Sequence, residues 1–503
     1  MRIFEALLML ANLAAFAALT VPVPRAVRWL GYAAPIALVT AVVQVVGEGA
    51  RWQIFPAYTL SGLFFLVWLR KNIAPADPSI ARKGTIMIPF AFAVAVVLGV
   101  LALAVAVALP IVLPVFHLPR PSGPYAIGTV TYHWTDASRR EAFSVDTADR
   151  RELMVQVWYP AEADPSSPRT PYIEDSDTVA AALARLHGFP DLTLKHLKYV
   201  TSNAVASAPV AGDKPDYPVL IYLEGLTGYR QMNTFQVEVL VSHGYIVVGI
   251  DQPGIAASVV FPDGHHVTGL SKAQMEPFTQ QSASPVEPAP SLNRQTFKGG
   301  IIPYFAQDVS FTLDQLASVN AADPNGILTA RMDPQRIGVF GVSYGGIVAA
   351  EASLKDRRLK ACLVMDVLMT ADVVDKGLQQ PAMWITRPAD TMRLERQRAG
   401  GWTEKDIVQT QTTMRAVYDK SPGDAYFVQV PGMFHIDLTD TTYLSPIFPA
   451  VGFSGPFGVQ PAHDSINAYS LAFFDRHLKG LPAALLDGPA KQYPEIIFET
   501  RRR

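Results

Sequence analysis

The chain has 503 residues, half of them hydrophobic and 17% charged, with formal net charge −2 and a single cysteine, Cys362. A soluble domain usually carries about 25% charge, so this composition excludes a disordered chain and supplies no basic field for nucleic acid. One cysteine excludes an intrachain disulfide framework and a cysteine-rich metal site.

Charge is unevenly placed. Residues 1–116 hold eight Lys/Arg and three Asp/Glu, a local +5 that leaves −7 for the rest. The same stretch holds four apolar runs, 3–20, 29–46, 54–69 and 86–116. Crossing a bilayer takes about 20 apolar residues. A cleaved signal peptide would account for the first run alone, so residues 1–116 are expected to form a transmembrane helical bundle on the lipid bilayer. The loops after the first and third runs share one side and carry Arg25, Arg28, Arg70, Lys71, Arg82 and Lys83. Only Arg2, Arg51 and Arg120 flank the other side. The positive-inside rule places the first group in the cytoplasm. The N-terminus and everything after Phe116 then lie on the non-cytoplasmic side of a multi-pass inner or plasma membrane protein. No ionisable pair inside the runs points to transport, so the bundle reads as an anchor.

Residues 117–124 form a Pro-rich linker (LPRPSGP from Leu118). Residues 125–503 read as one α/β domain. Strands are expected at 127–134, 153–159, 218–223, 246–251, 337–342, 361–366, 383–386 and 425–430. Helices are expected at 178–186, 231–242, 304–319, 344–354, 405–418 and 465–478. Short apolar strands alternating with amphipathic helices predict a mostly parallel sheet covered on both faces, with the first two strands an antiparallel lead-in. Residues 253–300, rich in Pro, Ser and Gln, form an insertion long enough to be a lid. Its apolar residues Val259, Val260, Phe261 and Phe278 point to amphiphilic substrates.

Residues Gly341-Val342-Ser343-Tyr344-Gly345 are G-x-S-x-G between an apolar strand and an apolar helix, the context that motif requires. The serine stands at a sharp strand-to-helix corner, flanked by glycines because a Cβ would clash there. The Tyr344 backbone N–H faces the site as an oxyanion donor. A serine hydroxyl needs a base, and the base a carboxylate, in the chain order Ser, acid, His. Three histidines follow Ser343. His435 leaves a strand in Val430-Pro-Gly-Met-Phe-His435 and is the expected base. His463 starts the last helix, and His477 stands near that helix's C-terminus, where a charge is favourable. Asp366 and Asp390 both end strands and both fit as the acid, with Asp437 an outside candidate. The His265–His266 pair reads as a solvated turn. No metal and no organic cofactor are expected.

The domain resembles the secreted and intracellular type II platelet-activating factor acetylhydrolases, serine lipases of the α/β-hydrolase superfamily. The resemblance runs from Tyr217 to Gly480. It rests on Tyr222-Leu-Glu-Gly-Leu-Thr-Gly-Tyr-Arg230, Val241-Ser-His-Gly-Tyr-Ile-Val-Val248, Asp314-Gln-Leu316, Gly341-Val-Ser-Tyr-Gly-Gly346, Met365-Asp366, His435 and Ala472-Phe-Phe-Asp-Arg-His-Leu-Lys-Gly480. Val155-Gln-Val-Trp-Tyr-Pro-Ala161 looks like the early strand of bacterial relatives. The resemblance implies an α/β-hydrolase fold, favours Asp366 over Asp390, and makes the Leu226 N–H the second oxyanion donor. It implies hydrolysis of short-chain or phospholipid-like esters through a Ser343–His435–Asp366 triad. The chain departs from the family in carrying Glu224-Gly225 where His-Gly is common, and in its membrane helices. The rival expectations are a general carboxylesterase of the dienelactone-hydrolase kind, another acyl enzyme (peptidase, thioesterase or acyltransferase), and a membrane scaffold with a dead hydrolase domain.

Overall fold

A computed structural model describes residues 1–21, 25–73 and 87–502. The chain divides into two units, Met1–Phe116 with Leu444–Ile447, and His117–Tyr443 with Phe448–Arg503.

The first unit holds α1 (Ile3–Thr20), a 3-10 stretch at Arg25–Tyr32, α2 (Ala33–Glu48), α3 (Phe55–Ile73) and α4 (Met87–Val112). All four α-helices are long and apolar enough to cross a membrane, by length and composition. Several boundaries differ from the apolar runs: α2 ends at Glu48 and α3 continues to Ile73. Residues 29–32 belong to the 3-10 turn, and α4 stops at Val112 instead of continuing to Phe116. Pro114 explains the stop, since it lacks the N–H that would extend the helix and disfavours helical backbone before it. Arg82, Lys83 and Ile86 lie outside the described residues. No apolar run holds an ionisable pair of its own, but folding brings Arg51 from a connecting segment to Glu5 of α1. Glu5 in α1 is fully buried, and Arg51 Nε and Nη2 donate to its two oxygens at 2.7 and 2.8 Å. Arg51 lies between two runs in sequence, so only folding brings it back to α1. Asn12 joins the same polar seam, donating to Ala57 O at 3.2 Å and accepting from Ser61 Oγ at 3.1 Å. In an apolar surrounding such groups are tolerated only when paired.

The second unit begins with β1 (Ala126–Arg140), β2 (Arg150–Ala161), α5 (Ser176–Leu186), β3 (Ala204–Ala206), β4 (Tyr217–Leu223), α6 (Thr234–Ser242) and β5 (Ile246–Asp251). The insertion follows as hairpin β6–β7 (Ser258–Val260, His266–Thr268), α7 (Lys272–Ala283) and hairpin β8–β9 (Ser291–Leu292, Gln295–Thr296). Then come α8 (Ile302–Ala321), β10 (Met332–Val342), α9 (Tyr344–Lys355), β11 (Leu359–Met365), α10 (Ala371–Lys376) and β12 (Ala382–Thr386). The chain ends with α11 (Ala389–Ala399), α12 (Glu404–Lys420), β13 (Ala425–Gln429), α13 (Val459–Lys479) and β14 (Ile497–Arg501).

Ten strands form one sheet in the order β14-β13-β12-β11-β10-β4-β5-β2-β1-β3. The six from β13 to β5 are parallel, while β14, β2 and β1 each join antiparallel. Such a sheet is buried on both faces, and its strands alternate between two cores. Along β4, Val219, Ile221 and Leu223 enter one apolar cluster, and Leu220 and Tyr222 enter the other. Helices α8 and α9 cover the first face; α6 and α13 cover the second. This is a mixed α/β architecture consistent with the α/β-hydrolase fold.

Of the four apolar residues singled out in the insertion, three turn inward and Val260 is half-buried, while Val286 further along is 63% exposed. Val259, Phe261 and Phe278 are buried, and Met275 and Phe278 of α7 pack into the same core as Tyr344. Val259, Phe261 and Phe278 fill the interior and present no surface to lipid.

Candidate active site

Ser343 and Asp366 stand where parallel strands end, and His435 on the turn beyond another. Ser343 follows β10 and precedes α9, with φ 52° and ψ −123°. That left-handed backbone is costly for a side chain other than glycine, and such strain gathers at functional sites. The corner is tight enough to demand its glycines. A Cβ on Gly341 would lie 2.3 Å from Gly345 C, and one on Gly345 would lie 2.1 Å from Leu223 O. A Cβ on Gly225 would come within 3.3 Å of Ser343 Cβ, so the loop after β4 runs past the serine.

The next strand supplies the acid. Ser343 N–H donates to Met365 O at 2.8 Å, which ties the corner to the end of β11. Asp366 comes next, buried, with φ 53°. Its Oδ1 accepts from Thr386 Oγ1 at 2.7 Å, and its Oδ2 accepts from Arg387 Nε at 2.8 Å. The same Oδ2 lies 2.7 Å from His435 Nδ1. Burial pushes the Asp366 carboxyl up, but the Arg387 charge and the His435 and Thr386 hydrogen bonds outweigh it and hold it well below the usual carboxylate range. An ionised carboxylate only accepts, so Nδ1 carries the proton and Nε2 is left as the base.

His435 opens the turn beyond β13 with its side chain 22% exposed. Burial lowers it from its ordinary 6.5, against the pull of Asp366. Trp402 stands edge-on to the imidazole, with ring centroids 5.1 Å apart. Asp390 is not brought to this cluster. Its side chain is 96% exposed in the first turn of α11, where Arg393 pairs with it at 3.1 Å. Asp437 is buried but turned to the backbone, accepting from the Phe434 and Gly455 N–H groups at 2.8 Å each.

The two expected oxyanion donors are the backbone amides of Tyr344 and Leu226. Tyr344 N–H opens α9, and the first N–H groups of a helix have no acceptor within it. The Tyr344 hydroxyl accepts from Thr279 Oγ1 of α7 at 3.1 Å, so the insertion braces this helix. In the loop after β4, Thr227 N–H donates to Ile255 O at 2.8 Å and Gly228 N–H to Gly225 O at 2.9 Å. Leu226 lies between these two anchors. Glu224 is fully buried just before them, and its Oε1 accepts from Gln252 N–H at 3.2 Å. Burial, with Asp251 nearby, pushes this carboxyl well above the usual range.

The remaining histidines lie elsewhere. His463, in the second turn of α13, is buried against Phe235 and bonds the Tyr443 hydroxyl at 2.8 Å. His477 does not serve the helix end with a charge: burial lowers it to about 4, which keeps it neutral beside Tyr426. His265 is exposed and pairs with Asp263 across the tip of β6–β7. A cleft of about 610 Å³ beside that hairpin is lined by Phe143, Phe261 and His266, and by neither Ser343 nor His435.

Reading the sequence missed Thr386, Arg387, Glu395 and Trp402. The first two carried a usable signal. Thr386 ends the strand after Asp366 and Arg387 follows it, and consecutive parallel strands are commonly neighbours.

Residues 111–269 match the family model described as platelet-activating factor acetylhydrolase, isoform II. The matched region covers the loop after β4 and ends before Ser343. The chain is also similar to a probable 1-alkyl-2-acetylglycerophosphocholine esterase of Arthroderma benhamiae, 23% identical over 76% of this chain and 94% of that one. It is similar to the platelet-activating factor acetylhydrolase of Gallus gallus, 21% identical over 72% of this chain and 84% of that one. Among solved structures it matches a ferulic acid esterase from Streptomyces cinnamoneus. That match has a TM-score of 0.59 and 26% identity over 76% of this chain and 99% of the other. All of these relatives are named as carboxylic ester hydrolases.

Proposed function

We propose that the chain is a membrane-anchored serine carboxylic ester hydrolase, similar to platelet-activating factor acetylhydrolases, that cleaves short-chain or lipid-derived esters. The observation that carries this reading is the 2.7 Å contact of His435 Nδ1 with a buried Asp366, one strand from a strained Ser343. In the proposed reaction His435 Nε2 takes the Ser343 proton as Oγ attacks the ester carbonyl. Asp366 fixes the imidazole and stabilises the imidazolium. The Leu226 and Tyr344 N–H groups hold the tetrahedral oxyanion, a donor type whose loss typically costs about 3 kcal/mol of barrier. His435 then protonates the departing alkoxide. Water, deprotonated by the same imidazole, releases the acid from the serine. No step requires a metal or an organic cofactor.

The four apolar helices support anchoring in a bilayer, and the Lys/Arg of the loops support a non-cytoplasmic catalytic unit. A second reading, a general carboxylesterase whose helices only fix its location, is favoured by one observation. Val259, Phe261 and Phe278 of the insertion are buried, so those side chains present no lipid-facing surface.

Labelling of the full-length protein by a fluorophosphonate probe tests the chemistry. Labelling of the parent and its loss in Ser343→Ala are expected, and labelling retained in that variant would refute the assignment. Comparing p-nitrophenyl acetate with longer esters, a lysophospholipid acetyl ester, a thioester and an anilide separates the two readings and the other acyl chemistries.

A further inference from the structure

Arg387 is completely buried beyond the end of β12. Its Nε donates at 2.8 Å to Asp366 Oδ2, the oxygen that also lies 2.7 Å from His435 Nδ1. Its Nη1 pairs with Glu395 of α11. Its guanidinium lies 4.9 Å from the ring centroid of Trp402, the indole that stands edge-on to His435. The guanidinium is therefore clamped on three sides: Asp366 and Trp402 lead back to the imidazole, and Glu395 lies against the His435 backbone N–H.

We propose that Arg387 is a positioning residue of the reaction: it fixes which oxygen of Asp366 faces His435 and keeps a permanent positive charge behind the imidazole. The proposal rests on the Ser343–His435–Asp366 reading. A carboxylate serving His435 alone would give its whole field to the imidazolium. Here a permanent cation takes part of that field, because guanidinium does not lose its proton in proteins. The neutral imidazole, the form able to accept the serine proton, is favoured in consequence.

The charged groups around His435 come from five places: Asp366 after β11, Arg387 after β12, Lys272 on α7, Glu395 on α11, and Asp437 on its own turn. Burial, Arg387 and Lys272 disfavour the imidazolium, whereas Asp366 favours it, and the balance leaves His435 below its ordinary value. Both Glu395 oxygens lie 3.4 Å from the His435 backbone nitrogen, so this counter-charge is close as well. A purely structural Arg387 would neutralise Glu395 and leave the protonation of His435 unchanged.

The test is the pH dependence of kcat/KM for p-nitrophenyl acetate with the full-length protein in detergent, which reports groups of the free enzyme. The parent's acid limb is expected below pH 6.5, the ordinary histidine value. Arg387→Met should move it up by about one pH unit, within the range for a neighbouring charge. Activity at pH 5.5 should then fall several-fold more than at pH 8.5, approaching ten-fold as the parent's midpoint nears 6.5. Arg387→Lys should bring the midpoint back toward the parent's, and Glu395→Gln should move it the opposite way, downward. An acid limb at or above 6.5 in the parent, or one that coincides in parent and Arg387→Met, would overturn the proposal. Should Arg387→Met not fold, the parent's midpoint and the direction in Glu395→Gln decide. Activity surviving in Ser343→Ala or His435→Ala would instead sink the triad reading on which the proposal stands.

Discussion

Asp366 and Asp390 both follow strand ends, yet they meet opposite environments, and that contrast sets the first prediction. Asp366 is buried with three side-chain partners, while Asp390 is solvated and paired only with Arg393. Asp366→Asn leaves the shape intact but presents an amide to Nδ1, which favours the wrong tautomer; kcat should fall on the order of 10³–10⁴-fold. Asp390→Asn should leave kcat within about two-fold, as expected of an exposed charge pair worth little. Steady-state assays on p-nitrophenyl acetate check both, and the reverse pattern would move the acid to Asp390. A second prediction concerns Glu238, which is buried and accepts from the Asn203 N–H at 2.7 Å. Burial raises it from 4.5 to about 7. Its folded value exceeds its unfolded one, so its contribution is complete below about 4.5 and fades as pH rises through 7. The parent should lose about 3 kcal/mol from this group between pH 4.5 and pH 8. Glu238→Gln should remove that slope in denaturant titrations at the two pH values.

At the level of elements, the corner between β10 and α9 concentrates the most constraint. Gly345 lies against the carbonyls of Leu223 and Glu224, so Gly345→Ala must push apart the nucleophile corner and the loop that carries Leu226. A displacement of about 1 Å in a site costs on the order of 100-fold in rate. Single-turnover acylation by p-nitrophenyl acetate should therefore slow at least that much, even where circular dichroism shows native helix content. This corner was legible because its chemistry is local: five residues, a β-branched run before them and an apolar helix after. The eight sequence-derived strands coincide with strands of the sheet for the same reason, since each is a short apolar run bounded by turn residues. Strands β3 and β14 were not legible, because three residues at 204–206 and the polar Ile497–Arg501 acquire strand structure only by pairing with β1 and β13. The helical character of α7 was hidden likewise. Its Ser, Gln and Pro composition reads as loop, yet Ser271 caps it and Met275 and Phe278 anchor it in the core. The contacts of Arg387, Glu395 and Trp402 join three separate segments, a relation that no local pattern encodes.

Across the whole molecule, the number of crossings decides where the catalysis takes place. An even number of crossings returns the chain to the side it started from, so four spans put the N-terminus and residues 117–502 together. The basic residues decide which side. Arg70 and Lys71 stand in the last turn of α3, and burying such charges beyond the bilayer against the insertion bias is unfavourable. Helix α3 is the least apolar of the four, and its failure to cross would reverse the result. Paired reporters separate the cases. Alkaline phosphatase, active only outside the cytoplasm, should be active when fused after Arg502 and inactive when fused after Asn72. A fluorescent protein that matures only in the cytoplasm should give the opposite pattern at both sites. Activity at Asn72 with silence at Arg502 would invert the orientation, and equal signals at the two points would mean that α4 does not cross. Replacing Arg70 and Lys71 with glutamine should weaken the phosphatase signal at Arg502, because those two charges supply much of the bias that holds the loop inside.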